Sequence, residues 1–163
     1  MKARKFENAR KIAHLAAIPE TGLESQADSL TIRCKFNFSY LCCQEKAGRA
    51  LSDLNRDQLA DLFDKLVQFS HQPLAYWQRQ KHGISSTLAI YRTFPSRSDF
   101  THPKHVPHDV HWGRFRLSGE VRLAGFVVPQ TLAGKVHAST QAAFDANTFY
   151  VVFLDYTHGF YKS

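Results

Sequence analysis

The sequence predicts an α+β domain in which one antiparallel sheet carries helices on one face. Three observations predict it. Residues 30–41 and three runs in the last third of the chain have strand-like patterning. Residues 55–81 are helical in pattern. Helices thus collect early and strands late, and a sheet covered on one side is the natural packing of that order. The chain has 163 residues, 44 % of them hydrophobic and thirteen of them Phe. That length suits one domain able to bury roughly two-thirds of its unfolded surface. The net charge of +7 suits an anionic partner.

Residues 5–18 read as an amphipathic helix, with Phe6, Ala9, Ala13 and Ala16/Ala17 on one side and Pro19 as its stop. It is expected to pack on the body or on a second subunit. A membrane-surface helix is the weaker alternative, because its alanines give a shallow apolar face. The polar stretch 19–29 reads as a linker, so the expected organisation is 1–29, helix and linker, followed by a single domain over 30–163. Leu30–Leu41 alternates apolar and polar residues and predicts a strand with one buried face.

The strongest helical signal follows. Leu59, Leu62, Phe63, Leu66 and Val67 form an apolar stripe expected to be core, with Asn55 and Gln58 in a capping-box arrangement. Pro73 breaks this helix, Leu74–Lys81 predicts a short second one, and Gly83 ends it. Thr87–Phe94 predicts a strand, and residues 95–107 a polar loop. Arg114–Ser118 and Glu120–Val128 predict a hairpin around Gly119. Residues 129–147 predict a loop with a helical turn at Ser139–Phe144. Phe149–Tyr156, almost wholly apolar, predicts a central strand buried on both faces.

The strands late in the chain carry charge. Trp112-Gly113-Arg114-Phe115-Arg116-Leu117 is followed by Glu120-Val121-Arg122-Leu123, and the C-terminus reads His158-Gly159-Phe160-Tyr161. A buried guanidinium is costly unless paired, so arginines inside strand patterns ask for a reason. Arg114 and Arg116 share a strand face, as do Glu120, Arg122 and Ala124. Cross-strand Arg–Glu pairs are also ordinary surface features of antiparallel sheets.

In this order of elements and motifs the chain resembles the RelE/ParE-like toxins of bacterial toxin–antitoxin pairs, and more specifically their RNA-cleaving members. Those share a strand of the form Trp-x-Arg-x-Arg/Ile, a strand beginning Arg-Leu, and a terminal His/Tyr element. The resemblance covers about residues 30–161. An extra N-terminal helix and apparent insertions at 82–110 and 129–147 depart from it, as does the spacing of the His and Tyr. It implies a cytoplasmic endoribonuclease acting on RNA, either free or on the ribosome, with a cognate antitoxin as partner.

The chemistry of such an enzyme can be stated independently. Cleavage by the 2′-hydroxyl needs a base, an acid for the leaving 5′-oxygen, and positive charge at the pentacoordinate phosphorus, without any metal or cofactor. Arg116, Glu120, Arg122 and His158 are the expected catalytic residues. The arginines would bind phosphate through their bidentate forks, while Glu120 and His158 would share proton transfer. Arg114, Trp112 and Tyr161 are the expected substrate-binding residues, Tyr161 serving as a base-stacking platform or as a packing aromatic. The alternative is a non-catalytic, ParE-like toxin or a nucleic-acid- or protein-binding module on the same fold.

Other chemistry has less to support it. His102, His105, His108 and His111 recur at every third residue, but in an extended path consecutive positions lie ~9 Å apart. That is too far for one metal ion without a turn to gather them. There is no P-loop, GxGxxG, GxSxG or HExxH motif. Cys34, Cys42 and Cys43 form no CxxC pair and suit a reducing compartment. No apolar run reaches membrane-span length, and the N-terminus makes a poor signal peptide.

Overall fold

The computed structural model describes residues 8–17, 23, 30–44, 47–83 and 85–162. The chain forms two compact units, Met1–Thr31 and Ile32–Ser163. The first holds helix α1, Ala9–Ala16, capped by the Asn8 side chain, which accepts from the Lys11 N–H. None of its residues is buried. Phe6 and most of the expected linker lie outside the described residues.

The second unit is α+β. It runs β1 (Lys35–Asn37), α2 (Arg56–Ser70), α3 (Leu74–Arg79), β2 (Lys81–His82), β3 (Ser85–Ser86), β4 (Leu88–Ile90), β5 (His111–Ser118), β6 (Val121–Val127) and β7 (Thr148–Asp155). Five strands make one open sheet in the order β1-β7-β6-β5-β4, and β2 and β3 form a separate two-stranded ribbon. The sheet is mixed rather than antiparallel. β4, β5, β6 and β7 pair antiparallel in succession, but β1 runs parallel to β7, with Phe36 opposite Phe149. Parallel neighbours need a long connection, and here the whole chain between β1 and β7 supplies it.

β1 is shorter than its patterning predicts. Leu30–Ile32 is a 3₁₀ turn, and the Asn37 side chain accepts from the Ser39 N–H, offering the backbone a turn in place of the ladder. Ile32 and Phe38 are consequently exposed. The Asn55–Gln58 capping box forms as expected. The buried line of α2, however, is Leu62, Leu66 and Phe69, while Phe63 and Val67 are 60 % and 59 % exposed. The five-residue stripe is wider than the surface that the sheet covers. Residues 133–144 form a hydrogen-bonded loop with a Val136–Ala143 bridge in place of a helical turn.

Two cores lie on opposite faces of the sheet. On one, α2 and α3 pack Leu62, Leu66, Phe69, Leu74 and Trp77 against Phe115, Leu123, Phe149 and Leu154. On the other, Phe100, Val106, Trp112, Phe126, Phe153 and Phe160 pack together. The 91–110 segment and the C-terminal tail supply the cover there. At the β6–β7 irregularity a Cβ on Gly125 would collide with the Tyr150 carbonyl, so only glycine allows that approach. Cys34 belongs to the helix-side core, and burial pushes its thiol up to about 12, far from a reactive thiolate.

Candidate functional site

β5 and β6 bring three arginines to one end of the sheet. The hairpin turns through Gly119 and Glu120, with Gly119 at φ 47°, a left-handed conformation natural to glycine. Arg116 is then the direct cross-strand partner of Arg122, Arg114 of Ala124, and Arg122 of Asp155 on β7. Strand alternation puts Arg114 and Arg116 on the same face as Trp112, and Arg122 on the face of Ala124 and Phe126. Trp112, Ala124 and Phe126 belong to the aromatic core, so all three arginines lie on the sheet face opposite α2 and α3.

The three do not share one environment. Arg122 is only 5 % exposed. Its Nη1 donates to the Gly119 carbonyl at 2.7 Å and the Val121 carbonyl at 2.9 Å, tying the group to the turn, while its buried Nε has no hydrogen-bond partner. Burial, then the charges of Arg114 and Arg116, push its pKa down to about 10, against the opposing pull of Asp155 and Glu120. Arg114 and Arg116 are half-buried. Arg114 Nε donates to the Tyr91 hydroxyl at 2.9 Å.

The tail wraps around one carboxylate. Asp155 is buried and accepts from the backbone N–H groups of Thr157 (3.2 Å), Gly159 (2.9 Å) and Phe160 (2.9 Å). Phe160 is anchored in the aromatic core, and the Asp99 N–H donates to the Gly159 carbonyl. Between these anchors His158 stands at φ 57°, a left-handed conformation uncommon outside glycine and held here by its surroundings. Burial first, then the charges of Arg122 and Arg114, lower the His158 pKa from its ordinary 6.5, with Asp155 and Glu120 opposing. The ring is therefore mostly neutral near pH 7.

Arg114, Arg116, Glu120, Arg122 and His158 thus gather in one electrostatic neighbourhood, although His158 is remote in sequence. Glu120 sits exposed in the turn rather than on β6. Tyr161, 39 % exposed, stacks on Tyr91 with centroids 4.7 Å apart and planes 3° from parallel, beside Arg114. Trp112 does not join the site. It is 1 % exposed and packs on Phe94, Phe126 and Phe160, so it has no face left for a substrate. Asp155 and Tyr91 escaped the sequence reading. A lone charge ending the apolar run 148–155 was a signal for the first, whereas nothing marked Tyr91.

The histidine loop does not gather on a single point. His102 and His108 stack 4.5 Å apart, and His105 Nε2 lies 3.3 Å from the Tyr40 carbonyl. Among the described residues no three His, Cys, Asp or Glu side chains are grouped to hold a metal ion. A groove of about 560 Å³ between α2 and the hairpin is lined by Asp61 and Asp64, which would repel a phosphodiester. Among the described residues no helix is long and apolar enough to cross a membrane. Compared with protein-family models, curated proteins and solved structures, the chain gives no match.

Proposed function

We propose that this protein is a metal-independent endoribonuclease of the RelE-like toxin kind, cleaving RNA by 2′-hydroxyl attack in the cytoplasm and neutralised by a cognate antitoxin. The observation that carries the reading is that Arg114 and Arg122 act on a neutral His158, with Arg116 directly opposite Arg122 on the neighbouring strand. Element order adds support: a strand, two helices, then successive strands ending in the His/Tyr tail.

Each group has a task. Neutral His158 takes the 2′-hydroxyl proton. The 2′-oxygen–phosphorus bond forms and the phosphorus–5′-oxygen bond breaks, leaving a 2′,3′-cyclic phosphate. The proton returns from the imidazolium to the 5′-oxygen, through Glu120 or water. Arg114 and Arg116 donate to the phosphate oxygens, and buried Arg122 adds charge from behind them in a low-dielectric setting where it is worth more than in water. Tyr161 offers its open face to a base.

Induced expression in bacteria, with growth curves and mapping of RNA ends, tests this. Growth arrest with new messenger-RNA ends is expected. Arg116→Ala should abolish the arrest while leaving the protein folded, because one oriented donor is worth ~10²–10³ in rate. Arrest without new RNA ends, or with DNA damage, would favour the non-catalytic ParE-like alternative.

A further inference from the structure

A second site lies at the other end of the same sheet face. A pocket of about 370 Å³ is lined by Tyr40, Asp109, Phe126, His137, Phe144 and Tyr150, among others. Its aromatic lining is ordered. Phe126 and Tyr150 stack 4.8 Å apart with planes 6° from parallel, and Tyr40 stands edge-on to both. The 133–144 loop forms another part of the wall. It is braced by hydrogen bonds from Gly134 N to the Phe144 carbonyl and from His137 N to the Ala142 carbonyl.

The polar groups of the lining are specific. His137 Nδ1 lies 3.2 Å from the Thr140 backbone N–H, which can only donate, so Nδ1 must accept. The hydroxyls of Ser139 and Thr140 lie 3.2 and 3.1 Å from the same nitrogen. In the neutral ring the proton is then fixed on Nε2, making His137 an N–H donor. Asp109 supplies an exposed carboxylate acceptor.

We propose that this pocket binds a guanine base of single-stranded RNA, at a nucleotide flanking the scissile one. The proposal rests on the RNA-cleaving reading and adds its base preference. A flat heterocycle suits the half-buried rings of Tyr40, Phe144 and Tyr150, while Phe126, buried, backs them from the core. Guanine offers adjacent N–H donors to a carboxylate and ring acceptors to an imidazole N–H. Adenine lacks that donor pair. An indole from a protein partner offers only a donor and would leave the His137 N–H unmatched. Phe126 lies four residues along β6 from Arg122 and on the same face, ~13 Å away, so one strand of RNA can reach both ends.

The test is guanosine binding to the purified full chain, compared with adenosine and with N-acetyl-tryptophanamide. Nucleosides are used because they carry no phosphate for the arginines. Guanosine should bind about tenfold or more tightly than adenosine, the discrimination of a good bidentate contact. Asp109→Asn, at an exposed position, should remove that preference and relax the base preference of RNA cleavage without abolishing cleavage. Equal binding of the two nucleosides, no binding, or a preference that survives Asp109→Asn would overturn the proposal. So would tighter binding of the tryptophan amide, which would mark a protein-partner pocket. Binding is read without cleavage, so an inactive protein that prefers guanosine sinks only the nuclease, and an active one without preference sinks only the pocket.

Discussion

The two faces of the sheet are built by different means. The helix-side face is regular: α2 and α3 lay Leu62, Leu66, Phe69 and Leu74 on it at helical spacing. Among the described residues of the second unit, no α-helix contributes to the core on the opposite face. Phe94, Phe100, Val106 and Phe160 reach it from irregular segments, and Trp112 and Phe153 meet them from the strands. The first face holds the fold together and the second also leaves an open end, where the arginines and His158 gather. A site grows where irregular chain covers a rigid sheet, because loops can present backbone and polar groups that a helix would bury.

Substitutions can break this comparison. Phe153→Ala empties the aromatic face and should cost about 3–5 kcal/mol in chemical denaturation. A loss below about 1 kcal/mol would mean that the loop side is only a loose cover. On the helix side, Leu66→Ala should cost about 2–5 kcal/mol. Phe63→Ala, one residue type heavier but exposed, should stay within about 0.5 kcal/mol. Equal losses at 63 and 66 would contradict the observed rotation of α2.

Asp155 joins the sheet to the tail. Asp155→Asn replaces one acceptor oxygen by an amide facing backbone N–H groups and should cost about 1–3 kcal/mol. It also removes a negative charge that raises the His158 pKa, so that pKa should fall further, as read by NMR titration. The sign of the pH effect follows. His158 has a lowered pKa when folded, so the unfolded chain takes up the proton first as pH falls. The contribution of His158 to stability is present above about pH 6.5 and is lost as pH drops through its folded value. A His158→Asn variant, which tolerates the left-handed backbone, should flatten that part of the stability curve.

Much of the regular face was legible in the sequence. The Asn55–Gln58 box, the helix with Leu62 and Leu66 in its core and the hairpin around Gly119 each depend on neighbours within a few residues, whereas the burial expected of Phe63 and Val67 did not form because the helix turns them to the surface. The parallel β1–β7 pair was not legible, because nothing local distinguishes it from an antiparallel one. Nor was the early end of β1, where an Asn37 turn outcompeted the alternation. In the candidate site, Arg114 and Arg116 were legible as a pair on one strand face from their two-residue spacing, while Arg122, six residues on, joins them through the hairpin. Trp112 was misread because a motif gives a residue's type and order but not which side the cover closes over. Asp155 holds the tail around His158 through backbone N–H groups two to five residues on, and Asp99 holds it from sixty residues away, contacts that no strand or helix periodicity encodes.

The most direct test of the central claim is the pH dependence of RNA cleavage by purified protein in a metal chelator. The account predicts cleavage with 2′,3′-cyclic phosphate and 5′-hydroxyl ends, flat through neutrality and falling on an acid limb below pH 6.5 as His158 protonates. In His158→Asn the rate should drop by about 10²–10⁴-fold and the limb should vanish. No cleavage in the chelator, or the same rate and acid limb in His158→Asn, would contradict it.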